Sequence, residues 1–209
     1  MIQLITPDRY GEFTEALAEM YRLRYRVFKE RLDWDVQVSG GMEMDEFDAL
    51  HPAYLLQRRG DGRIQGCVRL LPSTGPTMLG KTFAALLDGA PPADATVWES
   101  SRFAVDLDRD KGPANRGIAK VTYELFAGMI EFGLWRRLSA IMTVTDVRME
   151  RILRRAGWPL RRFGCATTVD DTVTVAGYLE ISHASLTRVR GRGGFDGPAL
   201  WMPVALAAA

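Results

Sequence analysis

Arg24 stands in the middle of an apolar stripe, four residues from both Met20 and Phe28. A guanidinium stays charged at every accessible pH, so on a buried helix face it needs acidic partners. The alternatives are a structural ion pair, or a stem laid along the surface with its head in water. Asp45 and Asp48, three apart in GGMEMDEFDAL, would point the same way on one helical turn. Two such carboxylates bind a cationic group or pair with arginines, or else mark a solvated acidic loop. Trp34 follows Phe28 by six residues. That pair either plugs the core or supplies aromatic walls for a sulfonium or an adenine ring. Arg69 interrupts an apolar strand, on the face of Cys67 and Leu71 if alternation is strict. In WESSRFAV, alternation puts Glu99 and Ser101 on one face and Arg102 on the other. A β-bulge would turn both charges toward one cleft, and a polar sheet edge is the alternative.

The elements that must position these residues alternate between helix and strand. Phe13, Leu17, Met20, Val27 and Phe28 recur at helical spacing and predict a helix over 11–31. Strands are predicted at 53–59 and 63–71, joined by the turn Gly60-Asp61-Gly62, and at 96–105. A helix over about 116–136 carries Ile118, Val121, Leu125, Met129 and Phe132 on its apolar face. A buried strand follows at 138–145. Asp146 then caps a short helix that ends at Gly157, and strands follow at about 160–168 and 173–181. The pattern implies an α/β fold, a mixed β-sheet sandwiched by helices in one domain over 1–209.

Composition narrows the function classes. The chain has 209 residues, 47% hydrophobic and 25% charged, with formal net charge +1, which suits one domain with a real core. Balanced charge argues against bulk binding of nucleic acid. No apolar run approaches the ~20 residues of a membrane span, and no secretory signal is visible at the start. Cys67 and Cys165, with His51 and His183, make neither a disulfide framework nor a metal centre. A cytoplasmic, metal-free protein without a prosthetic group is therefore expected. The alanine-rich end, 205–209, reads as a frayed tail.

Taken in order, RLRYRVFKERLDW, DEFD, CVRLLP and WESSRF resemble the acyl-homoserine-lactone synthases, the LuxI-type autoinducer synthases of bacterial quorum sensing. The likeness is close over nearly the first half and follows element order in the rest. It implies a fold related to the GCN5-type N-acetyltransferases. It implies an acyltransferase that uses S-adenosyl-methionine as the amine and an acyl thioester as the donor. Amide formation is followed by lactone closure and release of methylthioadenosine.

The resemblance assigns Arg24, Phe28, Trp34, Asp45, Asp48, Arg69, Arg102 and Phe103 to the S-adenosyl-methionine site, within 20–105. Glu99 becomes the candidate general base, and Ser101 and Arg102 complete the catalytic set. The acyl chain is expected in the C-terminal half, with Met78, Leu125, Met129, Trp135, Met142, Thr143 and Val175 as candidate walls, although a core would use the same residues. A threonine on the strand matching SAIMTVT accompanies 3-oxo chains in the family; Thr143 and Thr145 both sit there, and Thr143 is the choice here. Arg148, Arg151, Arg154 and Arg155 offer a basic face for an acidic acyl carrier protein, or are a solvated helix surface. The stretch Arg109 to Ala114 resembles the pyrophosphate loop of coenzyme A-using acetyltransferases. Carrier protein is the favoured donor and acyl-coenzyme A the alternative.

Overall fold

The computed structural model describes residues 1–106 and 118–201. In chain order the elements are β1 (Ile2–Ile5), α1 (Thr14–Arg24), β2 (Val38–Ser39), β3 (Met42–Glu43), β4 (Ala53–Arg58), β5 (Ile64–Pro72), α2 (Met78–Lys81), β6 (Val97–Val105) and α3 (Lys120–Trp135). There follow β7 (Ala140–Asp146), α4 (Val147–Ala156), β8 (Arg161–Arg162), β9 (Thr167–Val169), β10 (Thr172–Glu180), α5 (His183–Gly193) and β11 (Leu200–Trp201). Parallel and antiparallel pairs both occur, giving the mixed α/β class expected from the alternating pattern. The expected phosphate loop at Arg109 to Ala114 and the alanine-rich end lie outside the described residues.

The chain divides into two compact units: Met1–Arg69, Arg102–Gly128 and Pro198–Ala209 form the first, and Leu70–Ser101 with Met129–Gly197 the second. β5, β6 and α3 each begin in one unit and end in the other.

In the first unit β1 pairs antiparallel with β4, from Ile2↔Gln57 to Ile5↔Tyr54, and parallel with β11. β4 turns into β5 where the Arg59 N–H donates to the Arg63 carbonyl at 2.8 Å. Gly62, at φ +87°, takes a conformation that a side chain would strain. Leu17, Met20, Leu23, Val27 and Phe28 pack on Ile5, Tyr54, Leu56 and Cys67 to make the core. The single helix expected over 11–31 is three pieces: a 3₁₀ turn at Pro7–Phe13, α1, and a π-helical turn at Tyr25–Arg31. In the last, the Leu32 N–H reaches back five residues to the Val27 carbonyl at 3.1 Å. The wider turn re-phases the side chains, so that Val27 and Phe28 are both buried after Arg24. A 3.6-residue stripe cannot reveal this change of pitch.

In the second unit β6 runs parallel to β7, from Val97↔Ala140 to Ser100↔Thr143, and β7 pairs antiparallel with β10. Met142 packs with Leu79, Val97 and Ala176 on one face. Thr143, the next residue, points to the opposite face. α4 starts where Asp146 accepts the Met149 N–H at 2.7 Å and ends at Gly157, φ +87°, both as read from the sequence. The strand expected over 160–168 is two pieces, β8 and β9, with Gly164 in the gap. A Cβ at Gly177 would collide with the Arg161 backbone, so glycine is required where β8 lies against β10.

Among the described residues no helix is long and apolar enough to cross a membrane, and no set of three or more histidine, cysteine, aspartate or glutamate side chains is grouped to hold a metal ion.

Candidate active site

Three arginines and three carboxylates of the first unit form one buried ionic cluster. Arg24 ends α1 and Arg69 sits in β5, both fully buried, while Arg102 in β6 is half-buried. β2 and β3 form a short hairpin through Gly40 and Gly41, at φ +56° and +73°, which delivers Glu43 to the interior. Asp45, in extended conformation, caps a 3₁₀ turn at Glu46–Leu50. Its Oδ1 accepts the Phe47 N–H and the Oδ2 of Asp48 accepts the Asp45 N–H, each at 2.9 Å. This reciprocal cap fixes both aspartates on the same side, the geometry anticipated from their spacing of three.

Each arginine meets two carboxylates. Arg24 grips Asp48 with both terminal nitrogens, at 2.8 and 2.9 Å, and its Nε donates to Glu43. Arg69 grips Asp45 in the same two-pronged way and donates to Asp48 Oδ1 at 3.0 Å. Arg102 donates from Nε to Glu43 at 2.9 Å and pairs through Nη2 with Asp45 at 2.8 Å. Formal charges cancel within the six. Burial opposes charge on Arg24 and Arg69, but the hydrogen bonds and charges of their carboxylate partners outweigh it and raise both pKa values. Burial also opposes ionisation of Asp48, yet the hydrogen bonds from Arg24 and the charges of Arg24 and Arg69 hold its carboxyl well below the usual range. At Arg102 burial dominates and lowers the pKa.

The sequence reading brought Arg24, Asp45, Asp48, Arg69 and Arg102 forward, and the structure joins them. It missed Glu43, which is wholly buried and links Arg24 to Arg102. The available signal was Glu43-Met44-Asp45: in extended chain, alternate residues share a face.

Phe28 and Trp34 stack, with centroids 5.2 Å apart and planes 11° from parallel. Phe28 is buried, Trp34 is 40% exposed, and the Arg102 guanidinium lies 5.5 Å over the Phe28 ring. The result is an aromatic shelf with one open ring, backed by a cation. Arg102 itself has φ +52°, the left-handed region that a bulky side chain seldom adopts. Between Glu99 and Arg102, within the continuous strand β6, the backbone departs from regular strand geometry at Arg102. Its carbonyl accepts from the buried Cys67 thiol at 3.7 Å, and burial pushes that thiol up to about 12. Phe103 leans on Phe126 at 5.3 Å, and Leu125 is buried.

In the second unit, the buried Glu99 carboxylate accepts the Met78 and Leu79 N–H groups at 2.8 and 2.7 Å. These are the first amides of α2, whose Thr77 cap accepts from Gly80 at 3.1 Å. Ser101 is half-buried. Met78 and Met142 are buried on the α2 side. Thr143 donates to the Ser100 carbonyl at 3.1 Å, and Val175, opposite Thr145 in register, shares the Thr143 face. The candidate wall residues of the second unit therefore divide between two faces of the sheet. Met129 is buried in α3, and Trp135, near its end, packs on Phe132 at 6.0 Å.

Arg148, Arg151, Arg154 and Arg155 are all exposed on α4, opposite the buried Leu153 and Ala156. Arg192 of α5 donates to the Arg154 and Arg155 carbonyls at 3.0 and 2.6 Å, bringing another cation to the end of α4.

A mixed α/β fold of this kind is shared, as a fold alone, with a solved protein of Lactobacillus plantarum assigned to the N-acetyltransferases, at TM-score 0.55 and 14% identity over 87% of this chain and 99% of that one. The chain belongs to the autoinducer synthase family, whose model matches residues 9–189. It is an acyltransferase of acyl-homoserine-lactone synthesis. An acyl-homoserine-lactone synthase of Agrobacterium fabrum is 43% identical over 198 residues, 94% of each chain. The crystal structure of the synthase LasI superposes with TM-score 0.80 at 33% identity, covering 91% of this chain and 94% of that one. The coenzyme A-dependent synthase BjaI, solved with S-adenosyl-methionine and isopentyl-coenzyme A, gives TM-score 0.84 at 26% identity over 100% and 97%.

Proposed function

We propose that this synthase transfers an acyl group from a thioester to the amine of S-adenosyl-methionine and then closes the homoserine lactone. The amine nitrogen attacks the thioester carbonyl, the carbon–sulfur bond of the thioester breaks, and the carrier leaves as a thiol. The methionine carboxylate then attacks its own γ-carbon. The sulfonium takes the bonding pair and leaves as neutral methylthioadenosine. The observation that carries this reading is the charge-balanced cluster of Arg24, Arg69 and Arg102 with Glu43, Asp45 and Asp48, beside the Phe28–Trp34 shelf.

S-adenosyl-methionine presents a carboxylate, an ammonium, a sulfonium and an adenine. Arg102 is proposed for the carboxylate. The acidic members of the cluster order Arg24 and Arg69 and offer carboxylate oxygens to the cationic part. Trp34 is proposed for the adenine, with Phe28 behind it and Phe103 completing the set. Glu99 is proposed to take the amine proton, directly or through a water, with Ser101 and nearby backbone N–H groups stabilising the oxyanion.

Thr143 and Val175, which share a face of the sheet, are proposed for the acyl chain, with Thr143 for a 3-oxo group, and Leu125, Met129 and, on the other face, Met78 and Met142 stand as further candidate walls. The solved relative with isopentyl-coenzyme A keeps that donor class open. The four arginines of α4 favour an acidic carrier protein docked on the exposed face. A cytoplasmic site of action suits both donors.

The test is purified enzyme with S-adenosyl-methionine and a panel of acyl donors, read by mass spectrometry for lactone and methylthioadenosine. Both should rise in equal amounts. Acylated amine without methylthioadenosine would indicate an N-acyltransferase acting without lactone closure, and would sink the proposal.

A further inference from the structure

Behind the ionic cluster, on the side of β4, lies a set of phenols that the proposed chemistry does not use. The Tyr54 hydroxyl donates to Asp48 Oδ1 at 2.7 Å, and Tyr54 is almost wholly buried. The same oxygen already takes Arg24 and Arg69. Behind Tyr54, the Tyr21 hydroxyl lies 3.3 Å from the Tyr54 hydroxyl, and the two rings meet edge to face at 6.4 Å. Tyr21 stands three residues before Arg24 on α1, and the Arg24 guanidinium lies 5.3 Å over its ring. On the far side, the Tyr10 ring packs on Tyr54 at 6.0 Å and its hydroxyl donates to the Pro52 carbonyl.

From this geometry we infer that Tyr54, braced by Tyr21, is a positioning residue for S-adenosyl-methionine: its hydroxyl fixes the Asp48 carboxylate and so sets the directions in which Arg24 and Arg69 point. The inference rests on the proposal that the cluster receives S-adenosyl-methionine. Asp48 is shared by two guanidinium groups that reach it from different elements, and its carboxylate could rotate to favour either. A neutral donor on Oδ1 removes that freedom without changing the charge count. Burial raises the pKa of both phenols, so Tyr54 and Tyr21 remain neutral donors wherever the enzyme works. Hydrogen bonds to a charged acceptor in a low-dielectric setting are the strong ones, and networks of them reinforce one another.

The experiment compares Tyr54→Phe, Tyr21→Phe and Asp48→Asn, measuring KM for S-adenosyl-methionine, KM for the acyl donor, and kcat. Tyr54→Phe keeps the ring and loses only the hydroxyl. It should raise KM for S-adenosyl-methionine about ten-fold or more, with kcat and the donor KM within about two-fold. Tyr21→Phe should raise the same KM about two- to three-fold. Asp48→Asn should raise it most. A merely structural role would lower kcat through loss of active protein and leave both KM values unmoved. That pattern in Tyr54→Phe, or an unchanged KM for S-adenosyl-methionine, overturns the inference. If Tyr54→Phe yields no folded protein, Tyr21→Phe decides: an unchanged KM there overturns it as well. If Asp48→Asn leaves the KM unchanged, the assignment of the cluster to S-adenosyl-methionine fails first, whatever the tyrosine variants do.

Discussion

Arg24 and Arg102 share a carboxylate: the Nε–H of each donates to a different oxygen of Glu43. One arginine ends α1 and the other sits in the left-handed turn of β6. Glu43 is sealed from solvent where it links them. Removing it leaves two guanidinium groups with one partner fewer each and an uncancelled positive charge in the interior.

Glu43→Ala should therefore cost about 3–5 kcal/mol of folding stability, the usual penalty for breaking a buried pair from one side. Glu43→Gln keeps the volume and an acceptor oxygen and should cost less. Urea denaturation of both against wild type checks this. An unchanged midpoint for Glu43→Ala would show that Arg24 and Arg102 find other partners.

Asp48 gives the fold a defined acid sensitivity. Its folded pKa lies below the ordinary value, because hydrogen bonds from Arg24 and the charges of Arg24 and Arg69 overcome the opposing effect of burial. In the unfolded chain the same group titrates near ~3.9. The unfolded state then binds the proton more readily, so this contribution to stability is whole above about pH 5 and fades as pH falls through the unfolded pKa toward the folded one. Asp48→Asn lacks the contribution. Its denaturation midpoint should fall less steeply than that of wild type between about pH 5 and 3. Parallel slopes would contradict the linkage.

Glu99→Gln tests the general-base role proposed for Glu99. Loss of a general base typically slows a reaction about 10²–10⁴-fold. Single-turnover amide formation should drop by that much, while calorimetry finds S-adenosyl-methionine binding nearly unchanged. The amide side chain can accept only one of the two N–H bonds that now hold Met78 and Leu79, so a lower melting temperature is also expected. Equal losses in binding and rate would make Glu99 a ligand.

The donor question turns on α4. Reversing charge with Arg151→Glu and Arg154→Glu should slow turnover with an acyl carrier protein about ten-fold or more at low salt, and less at high salt. Turnover with acyl-coenzyme A should barely change. The measurement is kcat/KM for matched donors on wild type and the double variant. Faster wild-type turnover with acyl-coenzyme A, insensitive to the reversal, would reverse the preference for a carrier protein.

Much of this was legible from residue types alone. An arginine inside an apolar helical stripe, another inside an apolar strand, and two aspartates a turn apart each break a local pattern, and breaks in pattern mark function. Glu43 broke none, because an acid in a glycine-rich loop looks solvated. Only the tight β2–β3 hairpin turns it inward. Tyr54 was hidden for the opposite reason: an aromatic in a strand fits the expected core, and nothing along the chain says where its hydroxyl points. The π-helical turn at Tyr25–Arg31 was invisible because a hydrophobic stripe fixes a face and not the local pitch. α5 escaped through its composition, since two of its eleven residues are glycine and three are arginine, which dilutes any apolar stripe. Ser182, which accepts the Ser185 N–H at 3.1 Å, was its one readable start signal.

The ionic cluster also constrains how such a protein can change over generations. Six charges that cancel only as a set are hard to alter one codon at a time. Replacing any one of them strands an odd charge away from water, and about 3–5 kcal/mol is a large share of the ~5–15 kcal/mol that holds a typical domain folded. An escape needs two compensating substitutions, with an unstable intermediate between them. No comparable lock binds the apolar positions Met78, Met129, Met142 and Val175, where swaps of similar volume usually cost under about 1.5 kcal/mol. Descendants of one ancestor are thus free to vary these apolar positions while the ionic centre stays as it is, and under the proposed function the signal diversifies without reinvention of the site proposed for S-adenosyl-methionine.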